Sequence, residues 1–400
     1  MPIAQDPREV TLVGGAGHVG LPLSLAFANA GLRVGILDID ESALKRIGAG
    51  EMPFREAGAD DLLRRVLDSG RLELSSDPEI LGRSEAVVVV IGTPIDEFMH
   101  PSTTVFERVV GQLTPNVADG ALVVLRSTVF PGTTRYVADA LAEQGRRVDV
   151  AVCPERIAEG RALEELGSLP QIVGADEQRA GDRAAELFGR LGIQTVRTSS
   201  KEAELAKLFT NTWRYLKFAV ANQFFMIAED AQVDYNRVLD AIRLDYPRAI
   251  DLPGPGFAAG PCLLKDTMQL AAFSGDGFPM GHSAMLVNEG LPGYLVEAMR
   301  RRFGDLRGRV VGILGMAFKA ESDDPRSSLS YKLRKQLRWA GARVLCSDPF
   351  VADDSFVSLE EALGAEIIVV GAPHQAYRGL DLGERELVDV WGVTPAGIRV

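Results

Sequence analysis

Cysteine is scarce in this chain: three in 400 residues, Cys153, Cys262 and Cys346, an odd number set far apart. That spacing excludes a disulfide framework and offers no zinc pattern. The four histidines, His18, His100, His282 and His374, are equally scattered, so no metal site is expected. Positive charge is also short, with 43 Lys and Arg against 55 Asp and Glu and a net charge of −12. Such a balance argues against nucleic acid or an anionic membrane as a partner, and a phosphate ligand must be held by local donors. Met1–Val10 has no leader-like basic and apolar pattern, and the apolar run 218–228 is short and broken by Asn222 and Gln223. A soluble cytoplasmic protein is expected. Hydrophobic residues make up 46% of the chain, enough for two or three packed domains.

What is present begins with a strand-like stretch, Glu9 to Gly15, that runs into Gly15-Ala16-Gly17-His18-Val19-Gly20 and then the helical stretch Leu21 to Asn29. G-x-G-x-x-G between strand and helix is the dinucleotide fingerprint. Its first glycine permits the tight turn, the second admits a pyrophosphate, and the third lets helix pack on strand. A second strand, 33–37, ends in Asp38, an acid placed to bond a ribose 2′-hydroxyl and repel a 2′-phosphate. NAD is therefore favoured over NADP.

Apolar runs at 86–91, 121–125 and 148–152 extend the pattern and suit a parallel sheet covered on both faces. Ligands gather beyond the carboxyl ends of such strands. There stand Thr93 and Pro94, Ser127 and Thr128, and Glu155 with Glu159. Thr128 can bond a substrate or cofactor hydroxyl, or cap a turn. One helical turn over 155–159 would place both carboxylates on one side for proton transfer.

From Lys201 to Leu239 there is no Gly or Pro, and helical periodicity predicts a long helix, broken near Gln232. Lys207 and Asn211, at i and i+4, share one face and can stabilise an oxyanion. Arg243 and Arg248 follow as candidate phosphate contacts. Gly254, Gly256 and Gly260 with Pro255 and Pro261 enforce an irregular loop that delivers Cys262 beside Lys265 and Asp266. A cation favours the thiolate and a carboxylate can act as base. A helical region to about Phe303 precedes a second α/β pattern, with strands at 310–314, 343–347 and 366–371 and a helix over 328–340. Its first loop, 315–319, lacks the full fingerprint, so Lys319 and Arg326 are read as holding the phosphates of a nucleotide-bearing substrate. The expected architecture is α/β, with two Rossmann-like parallel-sheet domains joined by a long central helix: 1–200 for NAD, 201–303 for dimerisation and the catalytic loop, 304–400 for the nucleotide sugar.

With those residues identified, the chain resembles the UDP-glucose and GDP-mannose dehydrogenase family nearly end to end. The resemblance is carried by S-T-V-x-P-G-T at 127–133, P-E-R at 154–156, K-L-x-x-N at 207–211, C-x-x-K-D at 262–266 and G-x-A-F-K at 315–319. It implies an NAD-dependent, four-electron oxidation of a UDP-sugar C6 alcohol to a uronate through a covalent thioester, in a homodimer formed by the central helix. By position it makes Cys262 the nucleophile, with Lys207 and Asn211 stabilising the tetrahedral species. Asp266, Glu159 and Thr128 organise water and protons. Glu155 matches a substrate-contacting acid, Arg248 an arginine that reaches the partner subunit's substrate, and Lys319 a nucleotide-sugar ligand. The loop through Gly256 and Phe257 grips the sugar diphosphate; it is one residue longer to the thiol than the usual G-x-G-G-x-C. C-x-x-K-D resembles the UDP-glucose branch, whereas P-E-R-I-A-E-G is similar to the N-acetylhexosamine branch. Two other readings share parts of the pattern: a two-electron hydroxyacid-type dehydrogenase, which needs no thiol, and a non-catalytic NAD-binding protein.

Overall fold

The computed structural model describes residues 8–96, 99, 104–275, 277–380, 382–383 and 385–394; His100 lies outside them. The chain divides into two compact units, 1–209 and 210–400.

The first unit is built on eight strands: β1 Arg8–Val13, β2 Val34–Leu37, β3 Leu72–Ser75, β4 Ser84–Val89, β5 Leu122–Leu125, β6 Asp149–Val152, β7 Gln171–Gly174 and β8 Thr195–Thr198, in the order β3-β2-β1-β4-β5-β6-β7-β8. Successive side chains feed two separate cores because strand side chains alternate between faces. Ala86 and Val88 join Val10, Leu12 and Val124 on one face, while Val87 and Val89 join Val13, Val123 and Leu125 on the other. Apolar residues in unbroken series along β4 and β5 are thereby explained. Strand order reverses at β1 and β4, the crevice where doubly wound sheets hold ligands.

The sheet is not parallel throughout, as the sequence suggested. β7 runs antiparallel to β6, and β8 follows β7 in parallel. The excursion 153–170 between β6 and β7 includes only a short helix, Ala162–Leu166, and supplies no full crossover to return the chain in the parallel sense. β3 and β8 are half-buried or exposed edge strands without an apolar run, which is why periodicity missed them.

The central helix spans Ser200–Asp230 and is followed by a second, Tyr235–Arg243. The break falls where expected, with Gln232 at φ +58°. Helices Leu263–Phe273 and Pro279–Phe303 come next. The second unit closes with a four-stranded parallel sheet, β9 Val310–Leu314, β10 Arg343–Ser347, β11 Ile367–Val370 and β12 Glu386–Val388, in the order β10-β9-β11-β12. It is again covered on both sides: Val311, Ile313 and Val369 face one core, Leu314, Ile368 and Val370 the other. Among the described residues no helix is long and apolar enough to cross a membrane.

Candidate active site

In the first unit the glycines of the β1 loop have different tasks. The left-handed turn is made by Gly14 at φ +78°, one residue before the fingerprint, where a Cβ would lie 2.0 Å from the Val90 carbonyl oxygen. Gly15 serves close packing instead, since a Cβ there would sit 2.9 Å from Ile36. Gly20 packs helix Gly20–Asn29 onto the loop, with 2.5 Å between an added Cβ and the Gly14 oxygen. Gly17 is exposed, and a Cβ would meet only ordinary contact, the Gly14 oxygen at 3.7 Å. The fold does not demand that Gly17 lack a side chain; a phosphate approaching the helix N-terminus would. Asp38 follows β2, accepts from Ala16 N at 2.9 Å and Asp40 N at 3.0 Å, and keeps carboxylate lone pairs for ribose hydroxyls. These residues fit NAD, with Val19 as the N-cap of the helix.

His18 Nδ1 lies 3.2 Å from Glu159 Oε1, and its ring stacks on Phe54 at 4.0 Å. Glu159 is thus placed directly at the dinucleotide loop. Glu155 has other partners. Segment 153–158 is irregular rather than helical, because Glu155 Oε1 accepts from Arg156 N and Ile157 N at 2.6 and 2.8 Å and folds the chain back. Its other oxygen pairs with Arg126, a guanidinium with 1% of its side chain exposed that also donates to Cys153 O and to Gln171 Oε1. Arg126 was not singled out in the sequence; a basic residue directly after the buried strand β5 was the available signal.

The ends of β4 and β5 are clipped together. Ser127 Oγ donates to Ile91 O and accepts from Ile91 N, both at 2.8 Å, and Thr93 Oγ1 donates to Thr128 O at 2.7 Å. Thr93, Pro94, Ser127 and Thr128 therefore flank the switch-point crevice. Beneath them Glu204, on the first turn of the central helix, accepts from Gly132 N, Thr134 N and Thr134 Oγ1. Burial raises its pKa above the ordinary carboxylate value. Lys207 lies buried on the same helix, one turn before Asn211.

In the second unit the three candidate groups after the glycine loop are brought together. Cys262 is exposed and is the N-cap of helix Leu263–Phe273, whose amides favour an anion there. One turn on, Asp266 has no exposed side-chain surface. Its Oδ2 accepts from Asn211 Nδ2 at 2.5 Å and its Oδ1 from Lys265 Nζ at 2.6 Å. The other two thiols are unsuited to attack: burial pushes Cys153 up to about 12 and also raises Cys346.

The glycine loop rests on the second sheet. A Cβ on Gly260, at φ +96°, would meet the Phe318 ring at 2.6 Å. Phe257 is buried edge-on to Trp391, at 6.3 Å between rings, so its side chain belongs to the core and only its backbone is available to a ligand. Lys319 lies over Phe318 at 5.5 Å, and Arg326 is forked onto Asp324. Arg243 donates to Leu252 O, whereas Arg248 is exposed over Tyr246. Asp348, directly after β10, accepts through Oδ2 from Met316 N and Ala317 N of the loop after β9, at 2.6 and 3.0 Å.

Residues 9–192 match the model of the NAD binding domain of the UDP-glucose/GDP-mannose dehydrogenase family, 201–289 its central domain and 312–394 its UDP binding domain. The UDP-N-acetyl-D-mannosamine dehydrogenase of Pyrococcus horikoshii is 31% identical over 385 residues, covering 92% of this chain and 90% of that protein. The UDP-glucose 6-dehydrogenase of Haloferax volcanii is 32% identical over 365 residues, covering 86% and 84%. The solved structure of a UDP-glucose dehydrogenase from Pyrobaculum islandicum has a TM-score of 0.89 at 30% identity, covering 98% of this chain and 96% of that one.

Proposed function

The chain belongs to the UDP-glucose/GDP-mannose dehydrogenase family, and from that premise we propose that it oxidises the C6 primary alcohol of a UDP-sugar to the uronate in two NAD-dependent steps. The observation that carries this reading is the exposed Cys262 thiol at a helix N-terminus, one turn from the buried Asp266 that Asn211 and Lys265 hold. A two-electron alcohol dehydrogenase needs no such nucleophile.

Gly15, Gly17, Gly20 and Asp38 would hold NAD, which would supply the hydride acceptor for both oxidations at C6. Cys262 attacks the C6 aldehyde left by the first oxidation, and the thiohemiacetal becomes a thioester in the second. Water then releases the acid, so that one alcohol, one water and two NAD yield one carboxylate, two NADH and three protons. Lys207 and Asn211 present a cation and an amide to the oxyanion. Asp266, Glu159 and Thr128 direct the water and its protons. Glu155, Arg248, Lys319, Arg326 and the backbone of Gly256 and Phe257 serve substrate binding. Pairing with Arg126 means that Glu155 does so chiefly by fixing its loop.

Exposed Trp213, Val220, Phe224 and Ile227 form an apolar stripe on the central helix, which suits burial against a second copy in a homodimer. Charges at Trp213 and Phe224 should then give monomers in sedimentation; an unchanged mass would remove this role. A reducing cytoplasm suits a chain that depends on a thiol.

The test is NADH formed per sugar consumed, with UDP-glucose, UDP-N-acetylglucosamine, UDP-N-acetylmannosamine and GDP-mannose. Two NADH from one UDP-sugar, abolished in Cys262→Ala, is the expected result and names the hexose. One NADH, or turnover that survives without the thiol, returns the chain to the hydroxyacid-type dehydrogenases. NAD binding without turnover would make it a binding protein.

A further inference from the structure

Two buried asparagines that the proposed chemistry does not use converge on the glycine loop. Asn222, fully buried in the central helix, accepts from Gly256 N through Oδ1 at 2.8 Å and donates through Nδ2 to Gly256 O at 3.0 Å. The same Nδ2 donates to Asn288 Oδ1 at 2.9 Å, and Asn288 Nδ2 donates to Tyr215 O at 3.1 Å. Each amide has one orientation that satisfies these partners, since an oxygen must face the Gly256 N–H and a nitrogen its carbonyl. Asn288 is also fully buried, so an unmade bond anywhere along this ladder would leave a desolvated polar group.

Gly256 is pinned from the opposite side as well. It has φ +150°, and a Cβ there would lie 2.2 Å from the Trp391 ring. Six residues later comes Cys262, and four beyond it Asp266, which Asn211 grips. Asn211 and Asn222 are eleven residues apart on one helix, about three turns, and so lie on the same face. A single rigid helix therefore holds the thiol-bearing segment at both ends, Gly256 before Cys262 and Asp266 after it.

We propose that Asn222, oriented by Asn288, is a positioning residue for the Cys262 thiol, the upstream counterpart of the Asn211–Asp266 contact. The proposal rests on Cys262 as the nucleophile. Loosening the upstream anchor leaves the loop tied only at Asp266 and lets the sulfur drift, and a displacement of about 1 Å at a reacting atom is enough to cost roughly 100-fold in rate.

The experiment is Asn222→Leu, which removes both bonds to Gly256 at similar volume, followed by kinetics with UDP-glucose and UDP-N-acetylmannosamine and by amide hydrogen exchange. The expected result is a fall in kcat of about 100-fold with the KM for NAD within about 3-fold. Exchange at Gly256 should accelerate while β9 and β11 keep their protection. If kcat stays within about 3-fold of the parent although Gly256 exchanges freely, the proposal is overturned. If β9 and β11 lose protection, the variant has unfolded and Asn222→Ser, which leaves room for a water, decides. A loss of about 10-fold or more supports the role, and near-parental kcat removes it. Failure of the nucleophile reading is seen separately, as turnover that survives Cys262→Ala in the otherwise unaltered chain.

Discussion

Asn211 Nδ2 lies 2.5 Å from Asp266 Oδ2, and the Asp266 side chain is wholly enclosed. The carboxylate is oriented by an amide on one oxygen and an ammonium on the other, and the proposed function gives it the proton of the water at the last step. Asp266→Asn should lower kcat by about 100-fold or more and leave the sugar acyl group on Cys262, detectable as a mass increment on the peptide containing residue 262. A variant at full rate, with no acyl adduct, would remove Asp266 from the hydrolytic step.

Gly17 and Gly20 separate binding from folding. At Gly20 a Cβ collides with backbone, and at Gly17 it makes only an ordinary contact. Gly20→Ala should lower the melting temperature, whereas Gly17→Ala should melt as the parent does but bind NAD more weakly by titration calorimetry. Equal NAD affinity in Gly17→Ala would show that this glycine does not border the pyrophosphate.

Arg126 and Glu155 form a buried ion pair, with 1% and 11% of their side chains exposed. Arg126→Met leaves the carboxylate without its cation and should cost about 3–5 kcal/mol in denaturant unfolding; Arg126→Met with Glu155→Gln should cost less than the two changes summed. If Glu155→Gln instead raises the substrate KM with no loss of stability, the carboxylate acts on the substrate and not on the loop.

Asp348 makes acid stability of the second sheet depend on pH. Burial would raise its pKa, but the His374 hydrogen bond and the amides of Val351, Phe350 and Met316 outweigh that and hold it at about 2. Glu321 N donates to His374 Nδ1 at 2.9 Å, which leaves the proton on Nε2, facing Asp348 Oδ2 at 3.3 Å. A carboxylate below its ordinary 3.8 stabilises fully above about pH 4 and loses that contribution as pH falls through 2, a change of about 2 kcal/mol. Urea midpoints of the parent against Asp348→Asn should differ at pH 6 and converge towards pH 2. A constant difference would place the effect elsewhere.

The β1 fingerprint, Asp38, the valine series of β4 and β5, the break near Gln232 and the loop ending at Cys262 were legible because each depends on residues adjacent in the chain or at one helical or strand period. β3, β8 and the reversed β7 were not, because edge strands carry little apolar pattern and strand direction depends on the connection. The helical turn considered for 155–159 did not form. The partners of Glu155 and Glu159, Arg126 and His18, are distant in sequence, and those partners, not helical spacing, set where the carboxylates point. Asn222 was visible only as a polar interruption in an apolar run. Local sequence thus determined which groups the chain carries: a glycine turn between strand and helix, an acid after β2, a thiol at the end of a glycine loop. Tertiary structure alone decided which partners hold those groups in place, since a buried amide or guanidinium is committed by whatever hydrogen-bond partner folding encloses beside it, and no local period encodes that partner.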